Sequence, residues 1–182
     1  MIKIQYATIS ETGKRKNNED AFRMVSMVNE RRWLALVCDG MGGHANGEIA
    51  SKTVADTIVD YWGNAVTIAH LGDSRCYLMR PDEGLLYQTK DHIRMEYGWE
   101  IIDRCFFSYR PEVCSPDVVQ FELKAGDRIM LCSDGLYKSM TNKSLLANMM
   151  DEKSLDEILD AYRIRCDMQG DDNYTAVLIA VI

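Results

Sequence analysis

Trp33-Leu-Ala-Leu-Val-Cys38 runs straight into Asp39-Gly-Met-Gly-Gly-His44, so six apolar residues end on an acid followed by a glycine. A short, continuously apolar run bounded by a glycine turn reads as a buried strand, which places the Asp39 carboxylate at a strand end where the backbone turns sharply. The pattern recurs at Met130-Leu-Cys-Ser133, which precedes Asp134-Gly135, and Asp172 stands just before the last apolar stretch. Working outward, stretches at about 2–9, 21–28, 33–38, 65–71, 75–80, 84–88, 117–123, 128–132 and 175–182 alternate or run apolar like strands. Helical spacing predicts helices at about 46–62, 92–103, 143–150 and 153–168. Clusters of strands joined by short turns favour antiparallel α+β layers over a doubly wound parallel sheet. Gly63-Asn64 has two readings, a helix C-cap glycine or a two-residue hairpin turn. The second leaves its first strand without sequence if residues 46–62 are helical.

Composition narrows the function. The chain has 182 residues, 21 Lys and Arg against 28 Asp and Glu, and a net charge of −7, which argues against a basic nucleic-acid binder. With 47% hydrophobic and 27% charged residues it is an ordinary globular composition, expected to form one domain over residues 1–182. Its longest apolar run, Ala176 to Ile182, is far shorter than the roughly 20 residues that cross a bilayer. The start, Met1-Ile-Lys-Ile-Gln-Tyr6, alternates like a strand instead of a signal-peptide core, so no membrane contact and a cytoplasmic location are expected. Six cysteines without a C-x-x-C pair, mostly in apolar stretches, read as reduced core residues, and the three scattered histidines do not suggest zinc.

Polar residues interrupting the apolar stretches fall into blocks: Arg15-Lys-Asn-Asn-Glu-Asp20, Asp39 to His44, Gly72-Asp-Ser-Arg75, Ser133-Asp-Gly-Leu136 and Asp171-Asp-Asn-Tyr-Thr175. A single Asp-Gly is an ordinary turn former. Five acid-bearing blocks at strand ends are another matter, since burying several carboxylates together without cations costs several kcal/mol each, on the order found for unpaired buried ions. Oxygen ligands of this kind suit the hard cations Mg²⁺ or Mn²⁺, and two such ions close together activate a bridging water.

With Gly47-Glu-Ile-Ala-Ser51 and Thr89-Lys-Asp-His92 added, the ordered series resembles the PP2C (PPM) family of metal-dependent protein serine/threonine phosphatases, and Asp39-Gly-Met-Gly-Gly-His44 resembles its bacterial branch. The resemblance runs from the first strand to the last. It implies an α+β fold, a PP2C-like β-sandwich of two mostly antiparallel sheets flanked by helices. It also implies two Mn²⁺ or Mg²⁺ ions, with Asp39 bridging them, the Gly40 carbonyl and Glu19 facing one, Asp134 and Asp172 holding the other, and Asp20 in support. Asp73 matches a position that contributes to a third, weaker metal. Arg15 matches the arginine that grips the substrate phosphate, a role its planar fork suits. The implied reaction is attack of a metal-bridging hydroxide on phosphoserine or phosphothreonine in phosphorylated protein substrates, with no covalent phosphoenzyme. Met41 stands where animal members carry a histidine assigned as general acid, and His44 reads as a helix-capping or packing residue.

The chain departs from the family in being short. Between the 46–62 helix and the strand at Val66 the resemblance leads one to expect a second long helix and a hairpin partner strand, and the sequence reads as having neither. One helical layer is then reduced and part of a sheet face under-covered, so either a homodimer through that face or a lower stability is expected. The rival reading is a catalytically silent PP2C-like binding or regulatory module. Retention of Asp39, Asp134, Asp172 and Arg15 counts against it. An aspartate-nucleophile phosphatase is disfavoured because no Asp-x-Asp follows the first strand.

Overall fold

Side chains alternate between the faces of a strand, so a burial pattern tells which strands are covered on one face and which on both. A computed structural model describes residues 3–27, 32–40, 57–62, 65–105 and 114–182. In order these are the strands β1 (Ile4–Glu11), β2 (Ala21–Met27), β3 (Arg32–Cys38), β4 (Thr57–Trp62), β5 (Ala65–His70), β6 (Arg75–Arg80), β7 (Gly84–Gln88), β8 (Ile93–Glu96), β9 (Trp99–Ile102), β10 (Asp117–Glu122) and β11 (Arg128–Cys132). There follow helices α1 (Asp134–Tyr137), α2 (Asn142–Met149) and α3 (Leu155–Gln169), and strand β12 (Tyr174–Val181). β5 buries Val66, Ile68 and His70 and leaves Ala65 exposed. β11 and β12 are buried almost throughout, which is why they read as unbroken apolar runs.

Two five-stranded antiparallel sheets result, ordered β1-β12-β11-β6-β7 and β10-β5-β4-β3-β2. Between them lies a core of Val37, Val66, Ile68, Leu78, Leu131 and Val177 with their neighbours. The opposite face of the first sheet presents Tyr77, Met130 and Leu178 to Leu145 and Met149 of α2 and to Ile158, Leu159 and Tyr162 of α3. Each fully buried aliphatic side chain contributes about 1.5–3 kcal/mol. α3 starts at a capping box, in which Ser154 Oγ accepts from Glu157 N and Ser154 N donates to Glu157 Oε2. The α+β sandwich inferred from the motifs is present, as are all nine predicted strands and the helices at 143–150 and 153–168.

Two expectations are corrected. Residues 57–62, assigned to a helix, form β4, which pairs with β3 on one side and β5 on the other. Thr57-Ile-Val-Asp-Tyr-Trp62 is rich in β-branched and aromatic residues, and ladder bonds on both sides outweigh a helical spacing that extends over one segment only. Arg32 clamps Asp60 across this pair with Nε and Nη2 at 3.0 and 2.7 Å. Trp62 pairs with Ala65, so β4 and β5 are antiparallel neighbours, and Gly63-Asn64, read as a C-cap or a hairpin turn, lies outside the described residues. The partner strand taken to be missing is therefore present; the helical cover expected over 46–56 lies outside the described residues. Residues 92–103 are likewise not helical. Ile93 and Met95 alternate with Arg94 and Glu96, and β8 returns as β9 through Tyr97 and Gly98, both with positive φ (50° and 85°), the twist a two-residue hairpin requires. The four-residue α1, too short to show a period, was not anticipated.

Candidate metal centre and active site

The pairing registers gather the acid-bearing blocks at one end of the sandwich. In the first sheet Glu11 faces Tyr174 and Cys132 faces Arg75; in the second Ala21 faces Cys38 and Thr57 faces His70. The loops leaving these positions carry Arg15 to Asp20, Asp39 and Gly40, Asp73, Asp134 and Asp172.

Two buried residues join the sheets there. Asn173 donates from Nδ2 to the carbonyls of Thr12 and Asn17 at 2.7 and 2.8 Å, and its Oδ1 accepts from Glu19 N at 2.9 Å. Ser133 Oγ donates to Asp20 Oδ2 at 2.6 Å and accepts from Thr175 N at 2.9 Å. Glycines clamp the same turn from both sides: a Cβ on Gly13, where φ is 59°, would stand 2.2 Å from the Asp172 carbonyl oxygen, and one on Gly135 2.0 Å from that of Asn173. Only glycine lets the 12–20 loop and α1 approach Asp172 and Asn173 so closely.

A second network holds the Gly72 to Arg75 block. Arg75 forks onto Asp91 at 2.8 and 2.7 Å and lies 3.6 Å above the Tyr137 ring, whose hydroxyl donates to the Asp73 carbonyl at 3.0 Å. His92 Nδ1 accepts from Gly72 N at 3.1 Å, which leaves its Nε2 to donate to Asp117 at 3.0 Å. The Thr89 to His92 block thus supports the site from behind.

Charge at this end is unbalanced toward acid. Burial, reinforced by the charges of Asp134 and Asp172, raises the Asp20 carboxyl to about 6 against the pull of hydrogen bonds from Ser133 and Thr175. Burial and Asp134 push Asp73 up to about 6 as well, with Lys138 opposing. Glu19 Oε2 is buried and has no hydrogen-bond partner. The chain's own cations answer part of this charge. Arg15 Nη2 lies 2.7 Å from Asp172 Oδ2 and its Nε donates to the Asp171 carbonyl, Lys14 holds Asp171 at 3.0 Å, and Lys138 Nζ lies 2.7 Å from Asp134 Oδ2.

Among the described residues no three His, Cys, Asp or Glu side chains are gathered into a ready-made ligand set, and Asp134 and Asp172 each pair with a cation of the chain. The donor chemistry nevertheless fits a hard divalent ion: oxygen ligands only, the Asp20 carboxyl whose ionisation burial opposes, and a buried carboxylate oxygen of Glu19 without a partner. Glu19, Asp20, Asp73, Asp134 and Asp172 thus share one end with the partly exposed Asp39 and the buried Gly40, while Arg15 is engaged with an acid. Met41 and His44 lie outside the described residues. Ser133, Asn173, Thr175 and Lys138 were not singled out from sequence. Lys138 had a signal, since it stands four residues after Asp134 where one helical turn brings the two together.

Cys38, Cys76, Cys105, Cys132 and Cys166 are buried and Cys114 is partly so, and no described helix is long and apolar enough to cross a membrane.

No protein-family model matches the chain. The serine/threonine protein phosphatase PstP of Mycobacterium tuberculosis is 26% identical over 243 residues, covering 98% of this chain and 45% of its own length, so the chain spans under half of that relative. The aligned span exceeds the 182 residues here by 61, which locates the shortfall inside the chain as an internal shortening. Among solved structures, the S. agalactiae serine/threonine phosphatase superposes with a TM-score of 0.79 at 22% identity, covering 98% of this chain and all of its own. The PstP catalytic domain in complex with two manganese ions superposes with a TM-score of 0.73 at 23% identity over all of both chains.

Proposed function

Because the chain belongs to the bacterial-type PP2C phosphatase family, we propose that it is a metal-dependent phosphoprotein phosphatase that hydrolyses phosphoserine and phosphothreonine. The observation that carries this reading is the buried, unpartnered Glu19 Oε2 at the end of the sandwich where Asp20, Asp73, Asp134 and Asp172 accumulate charge. A purely structural acid in that position would be expected to carry a hydrogen bond.

Two divalent cations, Mn²⁺ or Mg²⁺, would be held by Asp39 between them, by Glu19 and the Gly40 carbonyl on one side, and by Asp134 and Asp172 on the other. When bound they supply an attacking water of lowered pKa and offset charge on the phosphate. The chain's residues do the rest. Ser133, by donating to Asp20, fixes that carboxylate behind the ligands, and Asn173 sets the path of the Glu19 backbone. Arg15 sits on the exposed rim with its fork directed at Asp172; released from that acid it has donors to orient two phosphate oxygens. Its side chain is about half exposed, so it can turn toward a substrate without leaving a buried charge behind.

Hydrolysis of an aryl phosphate and of a phosphoserine peptide, with and without Mn²⁺, tests the reading. Turnover that appears with Mn²⁺ and vanishes in excess EDTA is the expected outcome. Undiminished turnover in EDTA, or none in any metal, overturns it.

A further inference from the structure

Lys138 follows α1, four residues after Asp134, and its ammonium stands among carboxylates of three separate elements. It lies 2.7 Å from Asp134 Oδ2, 3.8 Å from Asp73 Oδ2 in the loop after β5, and 3.8 Å from Glu100 Oε2 on β9. Resting on the metal-dependent reading above, we propose that Lys138 fills the place of a cation between Asp73 and Asp134, so that the chain takes two divalent ions and no third ion at Asp73.

The position is built. One helical turn from Asp134 delivers the ammonium, and the neighbouring Tyr137 hydroxyl pins the Asp73 carbonyl at 3.0 Å while Arg75 stacks on the Tyr137 ring. Asp73 and Asp134 keep 14% and 19% of their side-chain surface, so their charges face each other with little water between and need a cation. A divalent ion ligated by both Asp73 and Asp134 would meet that ammonium within a few Å, and the repulsion between the two leaves room for one. Asp134 still has its Oδ1 free of Lys138 for the ion shared with Asp172.

Calorimetric titration of Mn²⁺ into the whole chain decides it. Asp73→Asn is expected to leave the stoichiometry and affinities of the wild type unchanged. Lys138→Met should take up one additional ion, bound about tenfold or more tightly than any residual uptake there in the wild type, and Asp73→Asn in that background should remove it again. Lys138→Arg, which keeps the charge, should titrate like the wild type. A third ion in the wild type, or loss of any ion in Asp73→Asn, would overturn the proposal alone, as would no additional ion in a folded Lys138→Met; if that variant does not fold, the wild-type and Asp73→Asn titrations decide by themselves. Absence of any Mn²⁺ uptake by the wild type would overturn the metal-dependent reading and this proposal with it.

Discussion

The face of the first sheet under α2 and α3 and the acid end of the sandwich are built on opposite principles. Under the helices, apolar side chains such as Leu145, Ile158 and Leu159 are sealed from water, and polar groups that enter are satisfied, as where the buried Tyr162 hydroxyl donates to the Leu145 carbonyl at 2.6 Å. At the acid end, the buried Asp20 and partly buried Asp73 carboxyls are pushed up to about 6, one carboxylate oxygen has no partner, and Arg15 and Lys138 stand in among the acids. Removing a group therefore has opposite signs in the two regions. Where every group has its partner, deletion destabilises; where charge is in excess, deletion relieves the metal-free fold.

The largest expected effect is in the helix-covered core. Leu145→Ala should lower unfolding free energy by about 2–5 kcal/mol in denaturant titrations while leaving Mn²⁺ affinity unchanged, since the cavity opens away from the acids. A matching loss of Mn²⁺ affinity would show that the two regions are not independent.

Asp20→Asn sharpens the contrast. A carboxyl whose folded pKa is raised from 3.8 to about 6 contributes stability below pH ~4 that is lost as pH rises through 6, because ionising it in the folded state is costly. His70 runs the other way over the same range. Burial, then the charge of His92, lowers it to about 4, so its contribution is lost on acidification. The difference between wild type and variant isolates Asp20. In EDTA, Asp20→Asn is expected to be more stable than wild type at pH 7 by roughly 2 kcal/mol and to lose that advantage below about pH 4. Thermal melts that superimpose at both pH values would refute the account.

The smallest effect is at the start of α3. Ser154→Ala removes a satisfied cap and should destabilise by about 1 kcal/mol at every pH between 5 and 8, with or without Mn²⁺. A cost that changed with metal would tie this helix to the acid end.

Legibility in the sequence followed the same division. Strands such as β3, β11 and β12 were visible because burial leaves long apolar runs, and α2 and α3 because their apolar stripes repeat over two turns or more. β4 was not, since Ile58, Val59 and Trp62 satisfy helical spacing as well as a strand and only the edges of β3 and β5 on either side decide between them. The β8–β9 hairpin turned on Tyr97, a residue type seldom found at positive φ, so its turn carried no recognisable first position.

The acids of the candidate site could be named from short blocks, because strand-end carboxylates followed by glycine are local features. Their partners could not. Asn173 reaches Thr12 and Asn17 across more than 150 positions of chain, and Ser133 reaches Asp20 across 113. The sequence by itself determined antiparallel α+β layers with acids at their strand ends, because alternation, turn glycines and strand-end aspartates act over a few residues, while the two-sheet sandwich followed from the family resemblance of the ordered blocks. Only the tertiary structure decided that β4 is a strand, that the acids share one end, and that Lys138 stands between Asp73 and Asp134, because ladder pairing, burial and charge balance depend on which distant segments meet.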